Sequence, residues 1–258
     1  NRRAWDSMAR KNQRHTKAAR DEQFHDPLSQ LDRRGWLGGS VQGQRLLCLA
    51  AGGGRQSALY AQAGAIVTVV DVSPAMLDKD RQVARERNLA VTAIEGSMDD
   101  LSMLPDASFD VVIHPVSTCY VPDVRPVYRE TARVTVAGGI YISQHKQPSS
   151  MQADARPSPG GYELSEPYYR QGPLPAVEDS LHREPGTLEF LHRWEELIGE
   201  MCQAGFVIEA LSEPYHGGED APSAGSFSHR SRYVAPYVRL KARRVGDPES
   251  KQPQVWTP

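Results

Sequence analysis

The chain reads as an α/β protein with a doubly wound, mostly parallel sheet. Two stretches and one ending carry that reading. The apolar run Leu46–Ala51 enters Gly52-Gly53-Gly54, and a second apolar run, Ile66–Val70, closes on Asp71. Strand and helix patterns then alternate, which stacks parallel strands under helices on both faces. Near the end, Phe206–Leu211 and Ala235–Ala242 are apolar runs joined by a loop rather than a crossover helix, so an antiparallel strand is expected at the far edge.

Taken in order, residues 1–40 are polar, with Trp5, Met8, Phe24, Leu28, Leu31 and Trp36 as sparse anchors, and form an N-terminal helical cover. Helix one spans roughly Arg55–Ala63 and stops at Gly64. Ser73-Pro74 supplies an N-cap and a first-turn proline for a helix reaching Asn88. Val91–Ile94 is a short strand, and Phe109–His114 is a strand apolar enough to be buried on both faces. A helix from Pro126 to about Thr135 precedes a turn at Gly138-Gly139 and the strand Ile140–Ile142. Between His145 and Pro185 fall seven of the nineteen prolines, so residues 145–186 are expected to be a lid insert without a period of their own. Thr187 is the expected N-cap of a helix carrying Leu188, Leu191, Trp194, Leu197, Ile198 and Met201 on one face. The body of the domain is therefore 41–245, with 246–258 a polar tail.

At 258 residues the chain can bury a sizeable core as one domain. A formal charge of −2 argues against a general nucleic-acid binder. The first twenty residues are locally basic, with Arg2, Arg3, Arg10, Lys11, Arg14, Lys17 and Arg20 against Asp6; the run is either a solvated helix face or a basic lip over an anionic substrate. Cys48, Cys119 and Cys202 are few, far apart and without metal-ligand spacing, which suits a reduced cytoplasmic protein and predicts no metal site. No apolar run reaches the ~18–20 residues of a membrane span. The chain starts at Asn1 rather than Met, so a removed leader stays open.

A glycine turn, a helix and an acid ending the next strand form the crevice where an adenosine-containing ligand binds in a parallel sheet. The order Leu46–Gly54, Asp71, Glu95-Gly96-Ser97-Met98-Asp99, Phe109–His114, Ala132–Gly139 and Gln203–Phe206 resembles the class I S-adenosylmethionine-dependent methyltransferases, small-molecule branch, well over 45–142 and loosely over 187–242. That resemblance implies a Rossmann-like methyltransferase fold of seven strands with an antiparallel last strand. It also implies S-adenosyl-L-methionine as cofactor and a small-molecule methyl acceptor as partner. Carried over by position, Ala50, Ala51, Gly52 and Gly54 would turn against the methionine part, and Asp71 would hold the ribose diol. Val72 and Met76 would pack on the adenine, Ser97 and Met98 would sit at its amino edge, and His114 would end beside the sulfonium. The sequence departs from the family at Cys48, where an acid is usual, at Ala50, where glycine is usual, and at Ser97, often Asp.

His114, Tyr120 and His145 are the candidate catalytic groups, because they follow the fourth and fifth strands, whose carboxyl ends face the crevice. Three rivals stand beside the methyltransferase. A nicotinamide-dependent oxidoreductase would want glycine at Ser57; a nucleic-acid methyltransferase would want an acid or amide and two prolines where His114-Pro115-Val116-Ser117 stands. A non-catalytic methyltransferase-like domain would suit the altered Cys48 and Ala50.

Overall fold

A computed structural model describes residues 1–178, 180, 182–218 and 222–246. The elements are α1 (Arg2–Arg10), α2 (Pro27–Leu31), β1 (Arg45–Leu49), α3 (Gln56–Gln62), β2 (Ile66–Asp71), α4 (Pro74–Arg87), β3 (Val91–Glu95) and β4 (Phe109–His114). They continue with α5 (Arg125–Val134), β5 (Thr135–Lys146), α6 (Pro148–Gln152), a π-turn (Glu195–Gly199) leading into α7 (Glu200–Gln203), β6 (Phe206–Ser212), α8 (Phe227–Arg230) and β7 (Tyr237–Arg244). The sheet order is β3-β2-β1-β4-β5-β7-β6, with β7 antiparallel to both neighbours and the other pairings parallel. The order reverses beside β1, so the carboxyl ends of β1 and β4 open a crevice there.

Two apolar layers sandwich the sheet. Leu46, Cys48, Val67, Val69, Val111 and Ile113 face Tyr60 and Leu77 on one side. Leu47, Leu49, Val112, Tyr141 and Leu240 face Tyr128, Met201 and Phe206 on the other. This is the doubly wound arrangement with its antiparallel ending. Asp71 ends β2, Ser73 caps α4 by accepting from the Met76 N–H at 3.2 Å, and Asn88 takes the left-handed conformation that stops it.

Several expectations are corrected. Gly138-Gly139 does not precede the fifth strand. Thr135 already pairs with Phe109, residues 136–139 bulge out, and pairing resumes at Ile140 with Val111. The strand then runs to Lys146, because β7 pairs with it along Ile140–Lys146, so His145 lies inside β5 rather than after it and the insert starts later. Thr187 is no helix cap: its hydroxyl donates to the Glu184 carbonyl, and residues 187–193 are irregular. The N-terminal cover is only partly helical, with 11–20 and 32–40 irregular. Most of the expected tail, 247–258, lies outside the described residues. Among the described residues, no helix is long and apolar enough to cross a membrane.

Candidate functional site

A cleft of about 1030 Å³ lies over the carboxyl ends of the strands. Its floor begins at the turn after β1. Ala50 there has φ +48, the left-handed region where a Cβ is strained, which is why glycine is the ordinary occupant. Gly52 is required by contact: a Cβ would stand 2.9 Å from Met76 Cβ and 3.0 Å from Asp71 Oδ2. Asp71 is buried, and its two oxygens each accept one backbone N–H, from Gly52 and from Ser73, both at 2.9 Å. Burial pushes its pKa up, against those two hydrogen bonds. An ionised carboxylate has about four lone-pair sites, so each oxygen can accept once more from the cleft.

A second carboxylate holds the turn from behind. Asp80 of α4 accepts from the N–H groups of Gly53 at 2.8 Å and Gly54 at 3.0 Å and from the Ser57 hydroxyl. It is fully buried, and burial raises its pKa to about 6 despite these donors. Gly54 consequently faces α4 rather than the cleft; a Cβ on it would meet the Lys79 carbonyl at 2.9 Å. A pyrophosphate would need those same N–H groups, so Asp80 and Ser57 speak against a nicotinamide dinucleotide.

Of the expected site residues, Ala50, Ala51, Gly52, Asp71, Val72, Met76, Ser97, Met98 and Tyr120 line the cleft; Gly54, His114 and His145 do not. The pleat decides the histidines. His114 shares the Val112 face of β4, where Nδ1 lies 2.7 Å from Tyr141 Oη and Nε2 lies 2.6 Å from Ser117 Oγ. His145, on β5, is 2.9 Å from Thr118 Oγ1 and 2.8 Å from Ser143 Oγ. Both are fully buried, and burial lowers each pKa to about 3. Neutral rings engaged at both nitrogens are structural links, not poised bases. Tyr120 faces the cleft but donates to Glu184 Oε2 at 2.8 Å, and burial raises its pKa, so it stays a phenol.

Of the two segments expected to close over the cleft, the N-terminal one supplies more of the described lining. Of the described insert residues only Glu184 reaches it, whereas Asn1, Arg2, Trp5, Arg14 and Lys17 of the N-terminal segment line it. That segment is pinned where α4 starts: Asp6 accepts from the Ser73 hydroxyl at 2.6 Å and from the Ala75 N–H at 3.2 Å. Trp5 sets its edge on Tyr120 at 5.7 Å. Glu184 is held by Lys146, whose Nζ lies 2.9 Å from Glu184 and 2.5 Å from Glu189, with Arg183 completing the group. Burial would raise Glu184, but Lys146 beside it holds its pKa below the usual carboxylate range. Gln144, Tyr237 and Arg239 complete the wall at β5 and β7. None of these carries a local signal; α4's Asp80 could have been suspected as a lone acid among Leu77, Val83 and Ala84.

Residues 47–143 match a family described as a methyltransferase domain. An uncharacterized methyltransferase, YbaJ, of Bacillus subtilis (strain 168) is 38% identical over 181 residues, covering 69% of this chain and 71% of that protein. A malonyl-[acyl-carrier protein] O-methyltransferase of Serratia marcescens is 31% identical over 116 residues, 45% of this chain and 44% of that protein. The crystal structure of an S-adenosylmethionine dependent methyltransferase from Mesorhizobium loti superposes with a TM-score of 0.64 at 22% identity, covering 86% of this chain and all of that one, a likeness of fold. With the sheet order, the turn after β1 and the acid ending β2 in place, the chain belongs to the class I S-adenosylmethionine-dependent methyltransferases and is an enzyme of that family.

Proposed function

We propose that this chain binds S-adenosyl-L-methionine against β1–β3 and methylates a small molecule held under its N-terminal segment. What carries the reading is Asp71: a buried carboxylate on the cleft floor, anchored by two backbone N–H groups and still able to accept from a diol. The turn Ala50-Ala51-Gly52, closed tightly on Asp71 and Met76 by the missing Cβ of Gly52, presents only small residues to an amino-acid tail. Val72, Met76 and Met98 offer apolar surface to a purine, with Ser97 and Asp99 at its edge. When bound, the cofactor supplies a methyl group already activated on a sulfonium.

The protein's part is then positioning and exclusion of water. Asp71 orients the nucleoside, Trp5 and Tyr120 close the side of the cleft, and the 115–117 segment after β4 forms the floor beneath the acceptor. His114 and His145 transfer no proton in this scheme. A cleft of about 1030 Å³ is large enough for a nucleoside cofactor and a small acceptor together. The near-neutral charge gives no support to a nucleic-acid substrate.

Calorimetry with S-adenosylmethionine, S-adenosylhomocysteine and NAD tests it. The first two should bind and NAD should not. Asp71→Ala should weaken S-adenosylhomocysteine by about 10- to 100-fold, the ~1.5–3 kcal/mol of charge-assisted hydrogen bonds; unchanged affinity would remove the ribose assignment. A methyl-acceptor screen against pooled metabolites then separates an enzyme acting on small molecules from a domain that binds without turnover.

A further inference from the structure

We propose that the acceptor half of this cleft is a subsite for an anionic group, a carboxylate or phosphate on the molecule to be methylated, with Arg239 as its ligand. The inference rests on reading the other half as the S-adenosylmethionine pocket. β7 places Arg239 opposite Gln144 of β5, and both line the cleft. Arg239 is half-buried, yet its hydrogen-bond partner is a neutral amide: Nε donates to Gln144 Oε1 at 2.5 Å. Arg133 of α5, Arg183 of the insert and Arg243 of β7 have carboxylates on them, whereas the buried Arg230 of α8 donates to three backbone carbonyls and a serine hydroxyl. Among the described residues no carboxylate forms an ion pair with Arg239.

The surroundings reinforce the imbalance. Arg33 and Arg34 stand close enough to act on Arg239 electrostatically, and the three line one small side pocket off the cleft wall with a single acid, Asp32, whose two oxygens accept from the Trp36 and Leu37 N–H groups. Burial first, and then these two cations, lower the pKa of Arg239, so its charge is held at a cost. The cleft-lining acid Glu184 is already paired with Lys146 and accepts from the Tyr120 hydroxyl. Asp71 and Asp99 lie on the nucleoside side. The cleft is therefore polarised, with its unbalanced positive charge where the acceptor enters. A planar guanidinium with Nε occupied presents its two Nη groups to a carboxylate or phosphate side-on. An anion there would relieve both the desolvation of Arg239 and its repulsion from Arg33 and Arg34.

The test uses the full chain saturated with S-adenosylhomocysteine and titrated with matched probes, benzoate against benzamide and phenyl phosphate against phenol. At least one anion should bind about tenfold or more tighter than its neutral partner; which pair shows the preference separates carboxylate from phosphate. Arg239→Gln should bring the ratio to within about twofold, Arg239→Lys should keep part of it, and S-adenosylhomocysteine affinity should stay within about twofold in both. Should Arg239→Gln not fold, the wild-type ratio still decides, and it should shrink as salt rises from ~0.05 to ~0.5 M. Equal binding of charged and neutral probes, no saturable binding of either anion, or a preference that survives Arg239→Gln would overturn the subsite. Failure to bind S-adenosylhomocysteine would instead overturn the cofactor reading, while the same titrations without it still report on Arg239.

Discussion

The turn after β1 and the clasp beneath the insert solve the same problem in different ways. Both bury carboxylates. In the turn, Asp71 and Asp80 are satisfied by backbone N–H groups and a serine hydroxyl, with no cation among their hydrogen-bond partners. In the clasp, Glu184 and Glu189 are neutralised by Lys146 and Arg183. Backbone donors fix geometry, because the peptide planes of 52–54 cannot move without breaking them. Ion pairs between long side chains instead tie distant segments together and lose most when one partner is removed.

The contrast predicts where each region breaks. The largest effect is expected for Lys146→Ala, which leaves Glu184 without a cation and Glu189 with Arg183 alone in a buried site and should cost about 3–5 kcal/mol in urea unfolding; a loss under ~1 kcal/mol would mean that water already solvates the clasp. The turn should respond to pH with a defined sign. The Asp80 pKa is raised from 3.8 to about 6 on folding, so its contribution is fully present below the unfolded value and is lost as pH rises through 6. Comparing wild type with Asp80→Asn between pH 4 and 7 should show an excess wild-type loss of up to about 3 kcal/mol, absent from the variant. A flat difference would place water beside Asp80.

Smaller changes sharpen the comparison. His114→Gln should lower stability by about 1–2 kcal/mol and leave S-adenosylhomocysteine affinity within about twofold, as expected for a buried link between Tyr141 and Ser117. A collapse of cofactor affinity would return the histidine to the site. The smallest effect is for Ala50→Gly, which relieves a Cβ at φ +48. Thermal unfolding should improve by the equivalent of about 1 kcal/mol or less, because greater freedom of glycine in the unfolded chain offsets part of the gain.

What could be read without coordinates follows the range of the interaction. Asp71 at a strand tip, Ser73-Pro74 opening α4 and Asn88 closing it each depend on neighbours within a few residues, and the strand Phe109–His114 appears with the ends expected of it. The bulge at 136–139 escaped because two glycines look the same in a turn and in a bulge until a partner strand is present. The helix after Thr187 was expected seven residues early because Leu188 and Leu191 keep a helical spacing while lying in irregular chain.

The amino-acid order alone determined the class of fold, the antiparallel ending of the sheet and the turn and acid that close β1 and β2, since hydrophobic period, caps and a glycine turn are local properties of the backbone. Only the tertiary structure decided which way His114 and His145 point, how the N-terminal segment and the insert share the wall of the cleft, and that Glu184, held by Lys146, and Arg239 both line it. Those outcomes depend on strand register, on desolvation and on charges brought together from β5, the insert and β7, none of which has a period along the chain.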